Sequence, residues 1–76
     1  MNAKRRKELE KVIALIEDAK SQLEALKDEE QEAFDNMPEG LQYSEKGERM
    51  EEAINYLDDS FSELESAIEK ITSAIE

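Results

Sequence analysis

Residues 53–76 read AINYLDD, SFSELES, AIEKITS, AIE, one seven-residue phrase written three times and begun a fourth. With Met50 in front, the large apolar residues are Ile54, Leu57, Phe61, Leu64, Ile68, Ile71 and Ile75, in alternating steps of four and three. That spacing marks one stripe along an α-helix, whereas a half-buried strand would place them at every second residue. Each phrase opens on a small residue, Ala53, Ser60, Ala67 or Ala74, so a row of small side chains runs beside the stripe. Such a row lets another helix approach near the short end of the usual interaxial range of about 8–10 Å. The pattern predicts a helix over about 45–75, with Ser44 as its N-cap.

The first half carries the same period less cleanly. Leu9, Val12, Ile16, Ala19, Leu23, Leu26, Ala33 and Met37 fall on one seam, with Glu30 its single break. Ile13 and Phe34 widen the seam on one flank and Leu15 on the other. This predicts a helix over about 3–36, capped by Asn2 and ended by Pro38, whose ring and missing N–H do not fit a helix interior.

Two matched helices and one connection at about 37–44 read as an all-α, single-domain, antiparallel hairpin of coiled-coil type covering 1–76. Lys4, Arg5, Arg6 and Lys7 cluster at a helix N-terminus, where the dipole disfavours cations, and the hairpin is expected to set Glu65, Glu69 and Glu76 beside them. The apolar stripe plus the Ala/Ser row is wider than one partner helix needs. The expectation is a homodimer forming a four-helix bundle, with a larger even-numbered assembly as the alternative.

The connection is longer than a hairpin requires. DNMPEGLQYSEKGERM, residues 35–50, holds both glycines, the only proline and one of the two tyrosines. Pro38 suits a turn start and Gly40 a left-handed position. Leu41 is expected to plug the bundle end and Tyr43 to offer a flat amphipathic surface. Ser44 to Gly47 place helix-start N–H groups beside Lys46 and Arg49, an anion-friendly spot. Gly47 lies on the apolar seam and permits close backbone approach by a packed neighbour or a ligand. Leu41, Tyr43, Ser44, Lys46, Gly47 and Arg49 are therefore the candidate binding residues. A second candidate is an acidic face at Asp28, Glu29 and Glu32.

Composition narrows the chemistry. Without Cys or His there are no disulfides, no thiolate chemistry and none of the usual zinc sites. No metal site, cofactor or catalytic residue is assigned. The loop has a glycine at the EF-hand position but Leu41, Tyr43 and Lys46 where later calcium ligands belong. A net charge of −11 argues against direct nucleic-acid or anionic-membrane binding and for an acidic face meeting a basic partner. No signal-peptide core follows the basic start and no apolar run reaches membrane-span length, so the expected place is the cytoplasm.

The loop words Asp35–Glu39, Leu41–Gln42, Ser44–Glu45 and Gly47–Glu48, followed by the repeats from Ala53, resemble a family of small acidic helical proteins of bacteriophages and mobile elements. The match covers about the central half of the chain, and the loop words are its specific part. The family carries no established activity or catalytic residues. The resemblance implies an accessory protein working in the cytoplasm of an infected bacterium, by occupying a host component such as a defence system. The competing expectations are an oligomeric sponge for a nucleotide-type signal bound near the turn, and a purely structural assembly part.

Overall fold

The computed structural model describes residues 1–76 and is all-α. Helix α1 spans Ala3–Asp35, a single turn α2 spans Glu39–Gln42, and α3 spans Glu45–Ile75. The chain reverses through α2, and α1 and α3 lie antiparallel as a rod of 58 × 15 × 12 Å. Its radius of gyration is 17.3 Å, against roughly 11 Å for a compact domain of this length. Neither long helix is apolar enough to cross a membrane.

Both long helices start on a side-chain cap. Asn2 Oδ1 accepts from the Arg5 N–H at 2.7 Å, and the Ser44 hydroxyl accepts from the Gly47 N–H at 3.3 Å. Glu45 and Glu48 in the first turn of α3 complement its dipole. The charges of α1 run the other way, with no acid in its first turn and no base in its last.

Along α3 the eight large apolar residues from Met50 to Ile75 face α1, and Ile54 is the most deeply buried. On α1 the seam lies on a different line from the one its apolar letters suggest. The half-buried residues are Leu9, Ile13, Ile16, Lys20, Leu23, Lys27, Glu30, Phe34 and Met37. The row Leu9, Ile16, Leu23, Met37 is shared with the expected seam. The second row is Ile13, Lys20, Lys27, Phe34 in place of Val12, Ala19, Leu26, Ala33. Bulk and reach explain the rotation. Ile13 and Phe34 fill the ends with more bulk than Val12 and Ala33 would. In the middle the two lysines lay their stems along the seam with the ammonium groups held at Phe61, 5.2 Å (Lys20) and 5.9 Å (Lys27) from the ring centroid.

The turn also departs from expectation. Gly40 is not left-handed, since no residue of the chain has a positive φ, and it sits inside α2 with open space around it. Leu41 is no plug, being 53% exposed. The connection is locked by Gln42, whose Nε2 donates to the Phe34 carbonyl at 3.1 Å and the Met37 carbonyl at 3.3 Å. These carbonyls, at and just beyond the end of α1, have no continuing helix to bond.

Candidate functional site

Three of the side chains and backbone positions expected to bind at the turn, Ser44, Gly47 and Arg49, are occupied within the chain. The Ser44 hydroxyl caps Gly47 and also donates to the Leu41 carbonyl, and Arg49 is ion-paired to Glu45. Gly47 is buried because α2 lies directly on it. A Cβ there would stand 2.6 Å from the Leu41 carbonyl oxygen and the Gln42 carbonyl carbon, and closer still to the Gln42 oxygen. The space beside Gly47 is therefore filled by the chain's own backbone. Tyr43 and Lys46 are exposed and make no hydrogen bond or ion pair through their side chains. Asp28, Glu29 and Glu32 are exposed near the turn end of α1, and none is ion-paired. No cluster of three or more metal-ligating side chains forms anywhere.

The two broad faces of the rod differ sharply. On one, Lys27 reaches Asp58 at 3.0 Å, and Glu17, Lys20, Glu65 and Glu69 line one open groove. The hydrogen bond from Lys27 to Asp58, aided by the nearby charges of Asp58, Asp28 and Glu24, raises the Lys27 pKa above 10.5 against an opposing effect of desolvation. Heptad spacing extends this face through Glu10, Glu17 and Glu24 on α1 and Glu51, Asp58 and Glu65 on α3, all exposed. Of these six carboxylates only Glu17, with Lys20 at 3.7 Å, and Asp58 have a cationic partner. The row is present in the sequence as a seven-residue repeat of acids, but it is hidden there among many other carboxylates.

The other broad face carries almost no charge at its centre. The rotated seam leaves Val12 39%, Leu26 58% and the neighbouring Leu15 71% exposed, with Ala19 and Ala33 on the same row. The α3 row Ala53, Ser60, Ala67, Ala74 lies on this side too. In α3 it precedes the seam residues Ile54, Phe61, Ile68 and Ile75, whereas Asp58 and Glu65 follow Leu57 and Leu64 on the opposite edge. Lys4–Lys7, expected beside Glu65, Glu69 and Glu76, form no ion pair in the hairpin.

Comparison with known families, curated proteins and solved structures finds no match.

Proposed function

We propose that the chain is a non-catalytic, phage-type accessory protein, a homodimeric four-helix bundle whose acidic faces occupy a basic surface of a host macromolecule, as a defence antagonist would. The observation that carries this reading is the continuous acidic face, four of whose six carboxylates are unpaired. A net charge of −11 along 58 Å is about one charge per 5 Å. Two copies side by side bring that below 3 Å, approaching the roughly 1.7 Å of duplex DNA. A basic groove shaped for a polyanion would attract such a rod within a Debye length of about 8–10 Å. The resemblance of the turn to phage-encoded proteins supplies the host setting.

The test is affinity capture from a bacterial host, comparing the unaltered chain with E10Q/E24Q/E65Q, at low and moderate salt. The proposal expects a basic protein that is held by the unaltered chain, released as salt rises, and not held by the variant. A partner retained by the variant rules out the acidic face as the contact.

A further inference from the structure

We infer that the uncharged broad face is the self-association surface, and that two copies stack across it antiparallel, α1 on α1 and α3 on α3, with their turns at opposite ends. The inference rests on the homodimer proposed above and adds its face and direction.

Four observations converge. The first is area. A folded monomer of this mass exposes about 4,700 Å², whereas the rod exposes 5764 Å². The excess, about 1,000 Å² per chain, corresponds to roughly 2,000 Å² over two copies, the size of a stable protein–protein interface.

The second is chemistry. Leu26 and Val12 are exposed on a helix flank with no charged residue on their row between them, beside small α3 side chains that permit close approach. The opposite broad face is lined with carboxylates, whereas the central row of this one carries none, so a second copy of this acidic chain meets less like charge here than on the other broad face.

The third is internal symmetry. On α1, Val12 and Leu26 are equidistant from Ala19. On α3, Ser60 and Ala67 are equidistant from the point between Glu63 and Leu64, and so are Ala53 and Ala74. The two centres stand close to one height in the hairpin, because Lys20 and Lys27 both approach Phe61 and Glu17 shares a groove with Glu65 and Ile68. A single two-fold axis across the rod then sets Val12 on Leu26 of the second copy, Ala19 on itself, and the small α3 rows on each other. Isologous contact of this kind is what a closed dimer requires.

The fourth is charge. The basic cluster of α1 sits at its own dipole-positive end, and its Glu29, Glu32 and Asp35 lie at the other. In the same register Arg5 falls opposite Ala33, which brings Lys4 and Arg5 alongside Glu29 and Glu32 of the second copy. Both mismatched ends of α1 then meet opposite charge at once.

The absence of cysteine makes the test direct. Sedimentation equilibrium of the full chain is expected to give twice the 8.7 kDa chain mass. The variant V12E/L26E, changed only at exposed hairpin positions, is expected to give the single mass with unchanged helical circular dichroism. Under mild oxidation V12C alone should not cross-link, because position 12 lies about 21 Å from its counterpart in this register. V12C mixed with L26C should cross-link, since a disulfide needs Cα atoms within about 7 Å. A monomeric unaltered chain overturns both the homodimer and this surface. A V12E/L26E variant that stays dimeric overturns the face and leaves the homodimer standing. Self-cross-linking of V12C, or no cross-linking of the mixed pair, overturns the direction.

Discussion

Replacing Gly47 with alanine sets two effects against each other at one atom. Helix propensity favours alanine over glycine by about 1 kcal/mol inside a helix, and Gly47 is the third residue of α3. The added methyl, however, would stand 2.6 Å from the Leu41 carbonyl oxygen and the Gln42 carbonyl carbon. These are backbone atoms, so no side-chain rotation relieves the overlap. Overpacking of this kind costs about 1–3 kcal/mol. The loss has a ceiling, because α2 can lift away. Lifting forfeits the two Gln42 bonds to the end of α1, at about 0.5–1.5 kcal/mol each, together with the packing on Gly47. The balance is a net destabilisation of about 1 kcal/mol, or a fall in Tm of about 4–8 °C. Gly40 is the internal control. It is helical, has open space for 4 Å around the point a methyl would occupy, and lacks a positive φ. G40A should therefore stabilise by about 0.4–1 kcal/mol. Urea melts of the two variants at one protein concentration decide the matter, because the proposed self-association would make apparent stability depend on concentration. Equal stabilisation by G40A and G47A would refute the account of α2 packed on Gly47.

Three further outcomes follow from the same geometry. F61L keeps bulk in the seam but removes the ring that Lys20 and Lys27 approach at 5.2 and 5.9 Å; it should cost about 1–2 kcal/mol, and K20M should have a smaller effect in the F61L background than alone. The raised pKa of Lys27 contributes stability that is complete below its ordinary value and is lost as pH climbs through the higher folded value, so D58N should remove an alkaline limb of unfolding above about pH 10.5 and leave the neutral region flat. R5E should weaken self-association, and E29R in the same chain should restore it, which dimer dissociation constants measured at low salt will register.

How much of this could be read from the letters depended on how much each residue type commits to. The α3 stripe was legible because Ile54, Leu57, Phe61, Leu64 and Ile68 offer only one apolar line, and the structure packs along it. On α1 two lines compete, one through Val12, Ala19 and Leu26 and one through Ile13, Lys20 and Lys27. Hydropathy alone selects the first. The second wins because long lysine stems can cover a seam while their heads reach Phe61 and Asp58, and that gain exists only once α3 is opposite. Gly47 was legible as a place of close approach, but what approaches it is α2, a single turn too short to announce itself by periodicity. Gln42 gave no signal, since its role lies in two carbonyls at the end of another helix. The acidic face was present as a heptad row and obscured by the number of other carboxylates, while the bare face became visible only once the seam had been located elsewhere.

The most direct test of the antiparallel dimer is a distance between turns. Leu41 is exposed, lies at one end of the rod, and can carry a single spin label as L41C in a chain with no other cysteine. Pulsed electron resonance on the labelled protein should return one separation close to the 58 Å length of the rod. A separation near its 15 Å width would place the turns side by side and contradict the account.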